Sequence, residues 1–438
     1  MRKYVVSRFL LVVLAVLFVS ALTGYRAVHA ANSSQKDSQK PVTISIWCWD
    51  NSAIAWKTYD AYRAKHPNIN FAITTVKRED MLQKLQIALA SGTDLPDIAW
   101  CEATFRGSLL ALDIWEDISK KPYNFNKNQI LNYLIPLETT PSGVYAGPEV
   151  PSVGGMAYKR PLAKQYLGTD DPAKLQKLFT SWDKFISEGI KVKKASDGKV
   201  FMLGSLWDAM IFFQSQSNTP FVIGDQLNLK KSVTPLLERI IQLKKAGIVD
   251  TFEANSPALN ASYADSTHIF YPCANWSVTF TVKANDKNGS GRWAFMIPPG
   301  GPFSMGGTIQ AVPKGAKNKK EAVDFIKFRY QSVEGAQLLR DFQEYFSPYK
   351  GVYKDPSFYS KVDPYFGGQD VQKIFARDVL PHIKPVRMAT KYDQQINDAI
   401  NLAIKTINAS DGTNISVSNL INQMEDDLVN KMPALKKD

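Results

Sequence analysis

The chain has 438 residues, with 53 Lys and Arg against 41 Asp and Glu, a formal charge of +12 and a pI near 9.3. That length exceeds what one hydrophobic core ordinarily supports, so two domains are expected. Three cysteines cannot complete a disulfide framework, and four scattered histidines with no acidic calcium loop give no support to a metal centre.

The first segment reads as an export signal. Met1, Arg2, Lys3 and Arg8 precede an apolar run from Phe9 to Val19 that is shorter than the roughly 20 residues a membrane span needs. Val28, His29, Ala30 and Ala31 place cleavage near Ala30. Leu22, Thr23, Gly24 and Tyr25 resemble a lipoprotein cleavage box with Tyr25 in place of the acylated cysteine, so no lipid anchor is expected. Residues 31–40, polar and rich in Ser, Gln and Lys, form a flexible tether. The product is expected outside the cytoplasm, extracellular or associated with the cell surface. Its basic excess favours anionic surroundings. Export and the absence of a basic aromatic binding motif exclude nucleic acid as partner.

Alternation over 43–47 predicts a strand, followed by a helix over 53–65, a strand over 69–76, a helix over 80–90 and a strand over 97–101. This is the rhythm of a parallel sheet with crossover helices. Helices follow near 172–187, 233–246 and 394–407, and strands return near 268–271, 293–296 and 308–312. The fold class is α/β. The first lobe is expected to hold 41–150 and about 265–312, and the second 151–264 and about 313–438. Cys48 and Cys101 each end a predicted strand; one bridge between them is conceivable, but small buried thiols are the preferred reading, for Cys273 as well.

Ligands of open parallel sheets bind beyond the carboxyl ends of strands. Those positions hold Trp49 and Asp50 after the first strand and Glu102 after the third. Aromatic and polar residues also stand together at Trp207 with Asp208 and at Asn275 with Trp276. Indoles stack on the apolar faces of sugar rings while carboxylates and amides accept their hydroxyls, the mixed lining that ligand sites use; core packing is the alternative for each indole. The Gly- and Pro-rich loop 298–307 is the place where backbone approaches a ligand closely. No Gly-x-Ser-x-Gly elbow and no phosphate loop occurs, so no catalytic residue and no cofactor is assigned.

Read in order, ISIWCWD (44–50), ASGTDLPDI (90–98), Tyr158-Lys159-Arg160, Ser181-Trp182-Asp183, IPPGGPFSMGGT (297–308), VPKGAKN (312–318), EAVDFIKF (321–328) and YFGGQ (365–369) resemble the family 1 extracellular solute-binding proteins of ABC importers, the group that includes maltose-binding protein. The resemblance implies a two-lobe periplasmic-binding-protein-like fold with a ligand cleft between the lobes and several hinge crossings. It implies a monomer that binds a carbohydrate, an oligosaccharide, and delivers it to the membrane permease. Carried over, Trp49, Asp50 and Glu102 face the cleft from the first lobe, and Trp207, Asp208 and Trp276 approach it from the other side or the hinge. Glu149 takes the position of a polar ligand contact before the crossing. Phe303, Met305 and Gly306 lie on a loop at the ligand's edge, and Tyr345 in a late loop that reaches the cleft. An ion pair is the alternative for Glu102 and Glu149, and simple packing for Phe303 and Met305. A secreted glycoside hydrolase or polysaccharide lyase uses the same stacking aromatics and carboxylates, and a receptor for a non-sugar solute is the third reading.

Overall fold

A computed structural model describes residues 40–438. The expected signal over 1–30, its cleavage near Ala30, Tyr25 and all but the last residue of the tether lie outside the described residues.

Two sheets of four strands each are built from β1 (Val42–Cys48), β2 (Ile69–Thr75), β3 (Ile98–Glu102), β4 (Val153–Lys159), β5 (Phe270–Ala274), β6 (Trp293–Met296), β7 (Phe303–Ser304) and β8 (Thr308–Ala311). The first runs β8-β3-β1-β2, with β1 parallel to both neighbours and β8 antiparallel to β3. The helices that cover the sheets include α1 (Ala53–Lys65), α2 (Met81–Ser91), α3 (Leu206–Ser215), α4 (Thr234–Ala246), α5 (Lys319–Gln331), α6 (Val333–Gln343), α7 (Asp393–Asn408) and α8 (Val417–Lys431).

Period-two alternation sorts the first sheet's side chains. Ile44, Ile46, Cys48, Ile98 and Trp100 enter the core beneath α1 and α5, where Tyr59 and Tyr62 meet Phe325. Ala99, Cys101, Ile309 and Ala311 enter the opposite core with Met81 and Leu85 of α2. Cys48 and Cys101 therefore lie in different cores, and all three cysteines are free and buried. The Ser52 hydroxyl starts α1 by accepting the Ala55 N–H at 3.2 Å.

In the second sheet β4 is central, and β5, β6 and β7 all pair with it antiparallel. Every residue of β4 is buried. Met156 and Tyr158 face a core shared with α3, α4, α7 and α8, while Val153 and Ala157 face residues drawn from 346–380. The helical stretch expected over 172–187 is two helices, Pro172–Leu178 and Trp182–Ala195. Ser181 restarts the chain by accepting the Lys184 N–H.

The chain divides differently from the expected partition. Of the segment 265–312, only β8 joins the first sheet; β5, β6 and β7 belong to the second because antiparallel pairing with β4 satisfies their backbone groups. Likewise α5 packs on the first sheet, with Ala322, Val323, Phe325 and Ile326 in its core, although it follows residue 313. The chain passes between the lobes at 149–153, at 304–308 and at 339–346.

Candidate functional site

The strand ends and passages converge on a cavity of about 170 Å³. Trp49 and Asp50 enter it just past β1, Trp100 and Glu102 from β3, and Gln310 from β8. Asn275 and Trp276 reach it just past β5 of the second sheet, and Ser152, Gly306 and Gly307 from the passages. Arg329 and Tyr330 of α5, Tyr345 beyond α6, and Arg78 complete its sides. A lining drawn from both sheets makes this the cleft between lobes.

Three indoles shape it. Trp49 and Trp100 meet edge to face, with ring centroids 5.2 Å apart and planes at 85°. The Trp276 N–H donates to the Met305 carbonyl at 3.1 Å, which fixes the indole against the loop and leaves its ring on the cavity wall. Asn275 ties the passage to the second sheet: its side-chain oxygen accepts the Val153 N–H at 3.0 Å. The Asp50 carboxylate accepts the Ser52 N–H at 3.0 Å, and that of Glu102 the Thr104 N–H at 2.8 Å. Local backbone thus orients both acids while leaving acceptor capacity for a ligand. Three lining residues carry buried polar atoms with no hydrogen-bond partner: Trp100 Nε1, Gln310 Oε1 and Arg329 Nη1. Trp100 and Gln310 are direct cross-strand neighbours and share one face of the sheet.

Beneath the passages lies a buried charge network. The Arg106 guanidinium pairs with Glu149, whose N–H donates to Glu138 Oε1 at 2.7 Å; Glu138 Oε2 accepts the Tyr145 hydroxyl at 2.7 Å. Burial pushes the Glu149 carboxyl up to about 7 against the pull of Arg106, and that of Glu138 up to about 8. Gly307 has φ +121°, and a Cβ there would stand 2.8 Å from Glu149 Oε2 and 3.0 Å from Arg106 Nη2. Glycine is required where the two passages cross this network.

Of the residues singled out in the sequence, Trp49, Asp50, Glu102, Asn275, Trp276, Gly306 and Tyr345 line the cavity together. Glu149 lies behind the wall, committed to Arg106. Phe303 is core, packed edge to face on Phe212 at 5.5 Å, and Met305 packs beside that core. Trp207 and Asp208 occupy the buried first turn of α3 and are not brought to the cavity. With no partner for its Oδ2, the Asp208 carboxyl is pushed up to about 7 by burial. Gln310, Arg329, Tyr330, Arg78, Ser152 and Trp100 also line the cavity, and apart from Arg329 no sequence pattern singles them out. Arg329 left a signal: it stands four residues after Phe325 and three after Ile326, on the apolar stripe of α5.

Among the described residues, no group of His, Cys, Asp and Glu is placed to hold a metal ion, and no helix is long and apolar enough to cross a membrane. Residues 57–364 match the family described as bacterial extracellular solute-binding protein. A lactose-binding protein of Rhizobium radiobacter is 29% identical over 364 residues, spanning 76% of this chain and 81% of its own. The fold matches the crystal structure of a family 1 extracellular solute-binding protein at a TM-score of 0.78, with 20% identity over 89% of this chain and 99% of the other. It also matches the galacto-N-biose-/lacto-N-biose I-binding protein of an ABC transporter from Bifidobacterium longum, in complex with lacto-N-biose. There the TM-score is 0.72, with 18% identity over 92% of this chain and 100% of the other.

Proposed function

Because this chain belongs to the bacterial extracellular solute-binding proteins, we propose that its cleft captures an oligosaccharide and that the closed protein, a monomer, delivers it to the permease of an ABC importer. The observation that carries this reading is the single cavity that draws Trp49 and Trp100 from one lobe and Trp276 from the other. Flat apolar rings on opposing walls grip the faces of successive sugar rings. Asp50, Glu102 and Gln310 supply hydroxyl acceptors, and Ser152 and the Trp100 N–H supply donors. The lactose bound by the Rhizobium relative and the lacto-N-biose bound by the Bifidobacterium protein point to the same ligand class. Met1 to Ala30 serves as the export signal, which places the protein on the side of the membrane where such sugars arrive.

The mechanism needs a closure and no bond chemistry. Each lobe offers half of the site, and a sugar touching both halves favours the closed arrangement by its differential affinity. The passages at 149–153, 304–308 and 339–346 are the segments about which the lobes turn.

Calorimetry and thermal melting of the purified protein with lactose, lacto-N-biose and longer galacto- and gluco-oligosaccharides test the reading. Binding raises the melting temperature, the sugar is recovered intact, and Trp49→Ala or Trp276→Ala weakens affinity about tenfold or more. Recovery of cleaved sugar, or no binding across the panel, overturns it.

A further inference from the structure

Three cations are buried in the described residues: Arg106, Lys159 and Arg329. Arg106 is paired with Glu149, and Lys159 with Asp265 at 2.9 Å. Arg329, at 2% exposure, has no carboxylate within ion-pair distance among the described residues. Its Nε donates to the Tyr330 hydroxyl and its Nη2 to Gln343 Oε1, both at 3.1 Å, and Nη1 has no partner. A charge removed from water costs several kcal/mol unless it is paired. A buried acid escapes that cost by protonating, whereas a guanidinium keeps its charge at any physiological pH.

The acids nearest in function do not answer it. Asp50 and Glu102 share the cavity with Arg329, but their recorded bonds run to the backbone N–H groups of Ser52 and Thr104. Arg329 and Trp100 both belong to the lining of the cavity, and each holds a buried N–H donor with no partner just behind that lining. Both are N–H donors, and a carboxylate is the group that accepts several such donors at once.

We propose that the cleft is built for an acidic oligosaccharide, one bearing a uronic acid whose carboxylate sits on Arg329 Nη1 and is reached by the Trp100 indole N–H. The inference rests on the sugar-binding reading above and narrows its ligand class. The other polar groups of the cavity hold the remaining hydroxyls. The net charge left after residues 1–30, with their four Lys and Arg and no acids, are removed from the chain of +12 is +8, and it draws an anionic sugar towards the protein.

The test compares three ligands of equal length by calorimetry on the purified wild-type protein: a galacturonic acid oligosaccharide, its methyl ester, and a neutral galactose oligosaccharide. The acid binds at least about tenfold more tightly than its ester, the range expected for a charge-assisted hydrogen bond. Arg329→Met brings acid and ester to equal affinity, and Arg329→Lys keeps part of the preference. If neither variant folds, the wild-type comparison of acid with ester decides alone. Equal affinity for acid and ester, or preference for the neutral sugar, overturns the inference and leaves the sugar receptor standing. Failure of all three, together with the neutral panel, removes the receptor reading as well.

Discussion

Arg106 and Arg329 are both buried beside the cleft, at 6% and 2% exposure, yet their surroundings differ. Arg106 meets Glu149, which is itself tied to Glu138 and through it to Tyr145. Arg329 meets only a phenol and an amide, and each arginine keeps one nitrogen unpartnered, Nε of Arg106 and Nη1 of Arg329. The first charge is closed within the protein and holds the passages between lobes together. The second has no carboxylate partner among the described residues and belongs to a residue that lines the cavity. Burial alone therefore does not separate the two charges; the presence of a carboxylate partner does.

The largest effect expected from this contrast is at the closed charge. Glu149→Gln removes the only carboxylate paired with Arg106 among the described residues and leaves a buried, uncompensated guanidinium. A loss of about 3–5 kcal/mol is expected in urea unfolding, because breaking one side of a buried pair costs more than the pair contributes. A loss below about 1 kcal/mol would remove the distinction between the two arginines.

Next comes the pH dependence of the same network. Glu138, tied to this network, is pushed up to about 8, and Asp208, elsewhere in the core, to about 7, both by burial. In the unfolded chain such acids titrate near 4. Between those values the folded state binds more protons than the unfolded one, so stability is fully present at the acidic end and falls as pH rises through 7 to 8. Melting temperatures should decline between about pH 5 and pH 8, by the equivalent of roughly 1–3 kcal/mol. Glu138→Gln should flatten that slope, and an unchanged slope would show that Glu138 keeps its charge.

How far these features were legible in the sequence depends on whether the pattern was local. Alternation and capping set β1, α1, β2, α2 and β3 nearly to the residue, because each element is specified by its own side chains. The lobe partition was not legible: the assignment of β5, β6 and β7 is settled by pairing with β4, more than 100 residues earlier in the chain. Trp49-Asp50 and Trp207-Asp208 look alike as dipeptides. The first pair follows a strand that ends at the cleft. The second opens a helix whose stripe faces a core, where Ser205 caps the turn by accepting the Trp207 N–H at 3.2 Å. Trp100 was hidden inside a strand whose two faces read alike. Glu149 was placed correctly at the crossing, but its engagement with Arg106 depends on a helix 43 residues earlier.

The smallest expected effect, on stability, belongs to Arg329. A residue kept for packing loses stability when its contacts are deleted. One held in place against a desolvation cost does not, because its removal relieves that cost. Arg329→Met retains most of the aliphatic volume in α5, gives up two hydrogen bonds to neutral partners, and removes a charge that no carboxylate balances. The opposing terms are each of order 1–3 kcal/mol, so the unfolding free energy should change by less than about 1 kcal/mol in either direction. Placed beside a Glu149→Gln loss of several kcal/mol, a near-silent Arg329→Met that nonetheless erases acid discrimination would mark one arginine as scaffold and the other as receptor. A loss at Arg329 as large as that at Glu149 would place its role in the core, with the cavity merely adjacent.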